Sequence, residues 1–412
     1  MVTFDDYNAI TIKLDIQTAA AGPLKNMTFA VKENIDVYEI VSTNGHPLWA
    51  QTHQKALAHA EVVDRLLQAG AHLIGKTHMD EMAYSLLGAN AHFGAPINPT
   101  LPDRLPGGSS SGSAVTVAAG ITDFAVGTDT GGSCRAPASF CGVFGLRPSH
   151  QSINMRGVIP MSRSLDVIGW FTRDIDHLIT IAKVLLPEDK TQVRYEEAVF
   201  LSESLEDADP EFKEMAQSAL MRLKCGPWRM ASLGEDFFAQ ALMHFRNLQG
   251  YEVWSEHQSW ILTHQPNFGP GVSERLKIAA TVTKAEKLAA EQFIATYRSA
   301  IDALFGDAGA IIMPTTPGLA PKIDESLEAL DRLRYAMLKF FLIASLFGLP
   351  QISIPIKKRQ CAIGLSFIGQ RGSDHQLLSF AKNFCAQNNI LSKEQQSSHP
   401  QIERPFFHKS PG

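Results

Sequence analysis

Residues 107–114 read Gly-Gly-Ser-Ser-Ser-Gly-Ser-Ala, and residues 127–137 read Gly-Thr-Asp-Thr-Gly-Gly-Ser-Cys-Arg-Ala-Pro. The second segment follows a predicted strand, and α/β sheets place their sites at the carboxyl ends of strands. Gly131 and Gly132 remove side chains directly before Ser133, so consecutive backbone N–H groups can converge as an oxyanion hole requires. The pair of segments therefore indicates a serine nucleophile, although an ordinary glycine-rich turn fits the second segment taken alone.

A serine hydroxyl at its ordinary pKa is a weak nucleophile and needs a base. Histidine is the usual base, but none of the 14 histidines is singled out by the sequence. A lysine can serve when burial lowers its pKa and leaves the amine neutral. Lys32 ends one apolar strand pattern and Lys76 ends another, so both stay candidates on these grounds.

Helix and strand patterns alternate through the first third of the chain. Strand patterns at residues 27–31, 72–74 and 124–126 are interleaved with helix patterns at 62–67 and 113–119. This alternation predicts an α/β fold with a mainly parallel core sheet. Later strand and helix patterns lie at residues 310–313, 351–356, 362–368 and 374–386.

The more polar segment 188–265 has helical stretches, such as 211–223, and few strand signals, so we expect a peripheral layer. The apolar segment 335–349 predicts one buried helix. We expect a single domain followed by a polar tail. Its parts are a catalytic core at about 25–180, a more variable helical segment at about 188–300, C-terminal core strands at about 308–390, and the tail at 391–412.

Bulk properties exclude several classes of function. A formal net charge of −5 over 412 residues gives no reason to expect nucleic acid or a membrane surface as partner. Five cysteines without a C-x-x-C pair argue against a disulfide framework and a structural zinc site, and they suit a reducing cytoplasm. We find no secretory signal pattern, and no apolar run approaches the roughly 20 residues of a membrane span. We therefore expect a cytoplasmic protein.

Two short motifs suggest other enzymes, and their contexts disfavour both. Residues 70–77 match the phosphate loop G-x-x-x-x-G-K-[ST], but a helix precedes Gly70 and a strand fills the variable positions. Residues 108–112 nearly match the nucleophile elbow G-x-S-x-G around Ser110, but prolines precede them where a strand is required. A flexible linker stays open for this run when it is considered alone.

These segments resemble the amidase-signature family over most of the chain. The resemblance implies the amidase-signature fold, with a large mixed, mainly parallel sheet covered by helices on both faces. The spacing of the two serine segments also matches the family pattern. The matching blocks are residues 29–36, 75–81, 107–114, 127–137, 141–148, 313–317 and 348–351.

The resemblance assigns the catalytic residues. Lys32 matches the catalytic lysine, Ser109 the bridging serine and Ser133 the nucleophile, whereas Lys76 matches a structural position. In this family the bridging serine takes part in a cis peptide bond, expected here on one side of Ser109 or the other. No metal or organic cofactor is implied.

The resemblance also assigns the surroundings of the nucleophile. Asp129 and Arg135 match positions that brace the loop. The backbone N–H groups expected to line the oxyanion hole belong to Thr130, Gly131, Gly132 and Ser133.

Within the family, the chain looks closest to short plant-type amidases that hydrolyse indole-3-acetamide. Residues 45–49 and 268–275 carry this likeness. It implies an apolar pocket that suits an aryl-acetamide. The family resemblance as a whole implies a small amide substrate and a homodimer. Candidate lining residues are Trp49, Met82, Phe268 and Leu319. The alternatives are the glutamine-hydrolysing A subunit of a tRNA-dependent amidotransferase and a non-catalytic amidase-like binding module.

Overall fold

Short apolar segments form the strands of one large sheet. The structure is a computed structural model that describes residues 6–203, 208–210, 213–214, 227–358 and 361–390. The strands are β1 (Ile10–Ile16), β2 (Thr28–Lys32), β3 (His72–Thr77), β4 (Phe124–Asp129), β5 (Phe144–Arg147), β6 (Val167–Thr172), β7 (Glu197–Leu201), β8 (Trp228–Ala231), β9 (Gly309–Pro314), β10 (Gln351–Lys358) and β11 (Cys361–Ile368). Their order in the sheet is β1-β3-β2-β4-β6-β5-β10-β11-β9-β7-β8.

Helices cover both faces of this sheet, as expected. The described helices are α1 (Pro47–Thr52), α2 (Glu61–Gln68), α3 (Ser111–Ala118), α4 (Arg135–Cys141), α5 (Ile175–Leu185), α6 (Glu235–His264), α7 (Val272–Ala279), α8 (Lys284–Phe305), α9 (Leu327–Lys339), α10 (Leu342–Phe347) and α11 (Asp374–Gln387). Side chains alternate between the faces of a strand. In β7, Ala198 and Phe200 join an apolar cluster with α2, α5 and α11, whereas Val199 and Leu201 join one with α6, α8 and α9.

Strand directions correct the expectation of a mainly parallel sheet. Neighbouring strands β3, β2 and β4 are parallel, as the early alternation predicted, and so are β9, β7 and β8. The remaining pairings are antiparallel and outnumber the parallel ones. One reason is that β11 begins at Cys361, three positions after β10 ends, and so short a connection permits only antiparallel pairing. The α/β class and the large mixed sheet are confirmed.

The polar middle of the chain contributes two strands that its sequence did not indicate. β7 and β8 extend the sheet beyond β9, so this segment is part of the sheet and not only a peripheral layer. The helix predicted at 211–223 lies largely outside the described residues, as does the tail at 391–412. The division into one domain and a tail stays a prediction.

The apolar segment 335–349 forms two helices where one was expected. Helix α9 ends at Lys339 and α10 begins at Leu342. At the break, the carbonyl of Phe341 accepts a hydrogen bond from Arg135 Nη1 at 3.2 Å. The break therefore links this segment to the residues that follow Ser133.

The phosphate-loop motif forms a helix end and a strand. Helix α2 ends at Gln68, and Lys76 lies inside β3. The fully buried Lys76 Nζ donates to Ser42 Oγ at 2.7 Å and to the Glu33 carbonyl at 3.2 Å. Lys76 is therefore structural.

No helix among the described residues has both the length and the apolar composition that a membrane span requires.

Candidate active site

Parallel strands β2 and β4 end at the same edge of the sheet and bring Lys32 and Thr128 together. Lys32 Nζ donates to Ser109 Oγ at 2.8 Å and to Thr128 Oγ1 at 2.9 Å. Both Lys32 and Ser109 are fully buried, and Ser133 is buried with 4% of its surface exposed. The end of β2 therefore places the Lys32 amine in contact with the Ser109 hydroxyl, away from bulk water.

Direct hydrogen bonds join the two serine segments. The amide of Ser110 donates to the Ser133 carbonyl at 3.2 Å, and Ser110 Oγ donates to the Thr128 carbonyl at 3.1 Å. A cis peptide bond lies at Gly108–Ser109, one of the two expected places. Ser110 therefore packs the segments together and does not act as the centre of a nucleophile elbow.

The Asp129 carboxylate organises the loop around Ser133. It accepts hydrogen bonds from the amides of Gly132 at 3.0 Å and Cys134 at 2.9 Å, on either side of Ser133. It also accepts from Arg135 Nη2 at 2.7 Å and Nε at 3.0 Å. Burial alone would raise the pKa of Asp129, but the neighbouring arginines outweigh burial and hold it well below its usual range.

The Gly132 amide corrects one part of the expected oxyanion hole. Because this N–H donates to Asp129, it cannot also point at a substrate oxygen. The amides of Thr130, Gly131 and Ser133 donate to no acceptor among the described residues. These three remain the candidate donors.

Arg147 is a second arginine on Asp129 that the sequence did not single out. Its Nη1 donates to Asp129 Oδ1 at 3.0 Å and to the Asp129 carbonyl at 2.7 Å. Its Nη2 donates to the Leu165 carbonyl at 2.9 Å. Arg147 lies in the family block 141–148, but only the fold shows which group that arginine meets.

Apolar side chains lie directly over the glycines of the loop. A Cβ atom on Gly131 would come within 2.6 Å of Phe245 and 3.4 Å of Leu338. A Cβ on Gly132 would overlap the ring of Phe341, and Gly132 has a φ of +121°. Gly132 is therefore required both by its backbone conformation and by this apolar cover, and Gly131 by the apolar cover alone.

Burial gives Lys32 the property that a base needs. It lowers the pKa of Lys32 to about 8, against the opposing effects of Cys134, Asp80 and Asp129. A large fraction of the amine is then neutral at mildly alkaline pH. Burial also raises the pKa of the Cys134 thiol to about 12, so this neighbour of Ser133 is not a thiolate nucleophile.

Asp80 is a further residue of the site that sequence reasoning missed. Its amide donates to the Ser109 carbonyl at 3.1 Å, and its Oδ2 accepts from the Gly88 amide at 3.0 Å. A Cβ on Gly108 would overlap the Asp80 carboxylate, so Asp80 lies directly beneath the serine loop. Asp80 belongs to the family block 75–81, which was its only signal in the sequence.

Comparisons with known proteins identify the family of this chain. The model of the Amidase family matches residues 1–248 and 233–378. Amidase 1 of Oryza sativa subsp. japonica is 39% identical over 388 residues, covering 87% of this chain and 89% of the relative. The chain belongs to the amidase family. It is a hydrolase that acts on amides, and the resemblance to amidase-signature enzymes is confirmed.

A second plant relative and a solved structure are also similar to most of this chain. Amidase 1 of Arabidopsis thaliana is 36% identical over 423 residues, covering 94% of this chain and 100% of the relative. A crystal structure described as an amidase superposes with a TM-score of 0.77 at 28% identity, covering 87% of this chain and 84% of that one.

The four candidate pocket residues of the amidase fall into two groups. Trp49, Met82 and Phe268 belong to one apolar cluster. Met82 lies two positions after Asp80, whose amide binds the Ser109 carbonyl, so this cluster begins beside the serine loop. Leu319 belongs to another cluster and lines an open groove of about 560 Å³.

Three residues of the amidase have the composition of a metal site. Potential ligand atoms of His46, Glu81 and His92 lie within 4.8 Å of one another. However, His46 Nδ1 accepts a hydrogen bond from the Leu48 amide at 3.1 Å. Burial, followed by His92, lowers the pKa of His46 to about 4, so the ring is neutral and its one proton lies on Nε2. The nitrogen that faces Glu81 therefore has no lone pair for a metal, and the cluster does not fit one.

We expect the activity of the amidase to rise with pH. Below its pKa, Lys32 is an ammonium ion and cannot accept a proton, so activity is lost as pH falls through about 8. The value of kcat/KM for an uncharged amide should rise about tenfold per pH unit below this point and level off above it. Initial rates between about pH 6 and about pH 10 test this, with circular dichroism as a control for folding. A flat profile would contradict a lysine base.

Replacing Asp80 by Asn should move this profile to lower pH. The Asp80 carboxylate raises the pKa of Lys32, so its loss makes the ammonium form less stable. Asn keeps an oxygen that can accept from the Gly88 amide. The variant therefore removes the charge of Asp80 while it keeps this hydrogen bond. Asp64→Asn on α2 is the matched control and should leave the midpoint unchanged. An unshifted midpoint in Asp80→Asn would show that the carboxylate does not act on the base.

Substitution Gly132→Ala should destabilise the amidase. The new methyl group overlaps Phe341 and requires a φ that L-residues rarely adopt. We expect a loss of about 1–3 kcal/mol in the free energy of unfolding, together with loss of activity. Gly234→Ala is the control, because Gly234 also has positive φ but no atom within 4 Å of a Cβ. Urea denaturation measures both variants, and equal losses would argue against the contact with Phe341.

Proposed function

We propose that the amidase hydrolyses a small aryl-acetamide, such as indole-3-acetamide, to the carboxylate and ammonia through an acyl-enzyme on Ser133. The observation that carries this proposal is the hydrogen bond of 2.8 Å between the buried Lys32 Nζ and Ser109 Oγ. A lysine amine with a lowered pKa has one evident use beside a serine in an amidase, which is to accept a proton.

The proposed reaction begins with proton transfer. Neutral Lys32 takes the proton of Ser109, Ser109 takes that of Ser133, and Ser133 Oγ attacks the amide carbon. The amides of Thr130, Gly131 and Ser133 are the proposed donors to the oxyanion, each contributing roughly 3 kcal/mol of transition-state stabilisation.

The second half of the reaction uses the same relay in reverse. The proton returns from Lys32 through Ser109 to the leaving nitrogen, and ammonia departs. Water then loses a proton to the relay and attacks the ester of Ser133, and the relay returns this proton to Ser133 Oγ as the acid leaves and ionises to the carboxylate. Asp129 and Arg135 do not touch the reacting atoms in this scheme but hold the nucleophile loop in place.

An aromatic cluster supports an aryl acyl group. The indoles of Trp49 and Trp260 lie 4.8 Å apart, and Phe268 is 6.3 Å from Trp260 between ring centroids. Such a cluster favours another flat ring over an aliphatic or charged chain. Because Leu319 lies in a different cluster, it is not part of the proposed pocket.

The alternatives receive less support from these contacts. Phe245, Leu338 and Phe341, which cover the nucleophile loop, are apolar, whereas an amidotransferase A subunit must hold the charged groups of glutamine. A non-catalytic binding module would have no need of the buried contact between Lys32 and Ser109. A cytoplasmic location and a homodimer stay predictions.

Ammonia release by the purified chain tests the proposal. We expect turnover of indole-3-acetamide or phenylacetamide, and weaker turnover of benzamide, a short aliphatic amide and glutamine. Ser133→Ala should reduce kcat by a factor of about 10³ or more. Turnover of glutamine alone would favour the amidotransferase alternative. Turnover retained in Ser133→Ala would contradict the proposed nucleophile.

A further inference from the structure

Three arginines from three helices meet in a cavity of about 300 Å³. Arg246 belongs to α6, Arg275 to α7 and Arg334 to α9. Tyr84 and Tyr335 also line the cavity. Nothing in the proposed reaction uses this group of residues.

No carboxylate lines this arginine cavity. Among the described residues that line it, the arginines are the only charged ones. Outside the lining, the half-exposed carboxylate of Asp331 lies 3.5 Å from Arg334 Nε and 4.0 Å from Arg275 Nη1. Two further carboxylates act on Arg275 and have other partners: Glu274 accepts from the Gly271 amide at 2.5 Å, and the buried Glu81 pairs with His92 at 2.7 Å.

Aromatic faces and a carbonyl hold the arginines in place and leave most of their N–H groups unused. Arg246 and Arg334 lie over the ring of Tyr335 at 5.0 and 4.7 Å. Arg275 lies 5.5 Å from the Tyr84 ring, and its Nε donates to the Tyr84 carbonyl at 2.9 Å. In the described part of the chain, the terminal nitrogens Nη1 and Nη2 of Arg275 donate no hydrogen bond.

Confinement of these positive charges is electrostatically unfavourable. The side chains of Arg275 and Arg334 are only 12% and 8% exposed. Burial, followed by repulsion from Arg334, lowers the pKa of Arg275 to about 10. Like charges held at low effective dielectric repel one another strongly, and a bound anion would remove that repulsion.

We propose that the arginine cavity binds a phosphate group as a dianion. Guanidinium groups present paired N–H donors that match the oxygens of phosphate. Three arginines and no carboxylate line the cavity in the described part of the chain, which favours a ligand of charge −2 over one of charge −1. The volume is at the lower limit of small-molecule sites, about 300–1,000 Å³, so free phosphate and the phosphate monoester of a small molecule both fit.

Calorimetric titration of the full chain with inorganic phosphate tests the proposal, at ionic strength held constant with chloride. We expect saturable binding at one site. Arg246→Gln and Arg334→Gln should each weaken binding by about tenfold or more. Arg246 is exposed, so its variant should fold even if that of the buried Arg334 does not. Arg332→Gln, an exposed position on the same helix as Arg334, is the matched control and should bind phosphate as the unmodified chain does.

Titrations with phenyl phosphate and with acetate identify the class of ligand that the cavity binds. Phenyl phosphate binding more tightly than inorganic phosphate would identify a monoester site, and equal affinity would identify a site for free phosphate. Acetate at the same ionic strength should bind at least about tenfold more weakly than phosphate, because it carries one charge. The absence of saturable binding, an equal loss in Arg332→Gln, or equal affinity for acetate would overturn the proposal.

Discussion

Asp129 carries a buried negative charge that Arg135 and Arg147 neutralise, and the shape of the loop that carries Ser133 depends on this contact. The carboxylate accepts hydrogen bonds from the amides of Gly132 and Cys134, on both sides of Ser133. Arg135 continues the network to Gln351 Oε1 at 2.5 Å and to the Phe341 carbonyl. Removal of one partner from a buried ion pair costs about 3–5 kcal/mol, so the loop and the C-terminal strands are expected to lose their arrangement together.

Asp129 also acts on Lys32, the proposed base. Burial disfavours the ammonium form of Lys32, while Asp80 and Asp129 favour it. The effect of burial exceeds that of these carboxylates. The result is an amine whose pKa, about 8, lies in the range where it can both accept and return a proton.

Local motifs predicted the parts of the site that lie close in sequence. The block around Ser133 indicated the nucleophile loop, and the family resemblance then distinguished Lys32 from Lys76. Asp80 and Arg147 lie inside the family blocks 75–81 and 141–148. Their roles depend on contacts between distant segments, which a local sequence pattern does not show. The Gly132 amide was misassigned for a related reason, since the direction of an N–H depends on the side chain of Asp129.

Local patterns also predicted only part of the fold. Alternation of helices and strands correctly predicted the parallel strands β2, β3 and β4. It could not show that β6 lies between β4 and β5, because antiparallel neighbours need no intervening helix.

We propose that Ser133, and no other serine of the two segments, is the nucleophile. Labelling with a fluorophosphonate followed by peptide mass spectrometry tests this proposal. We expect one adduct, on Ser133, whereas an adduct on Ser109 or Ser110 would contradict it.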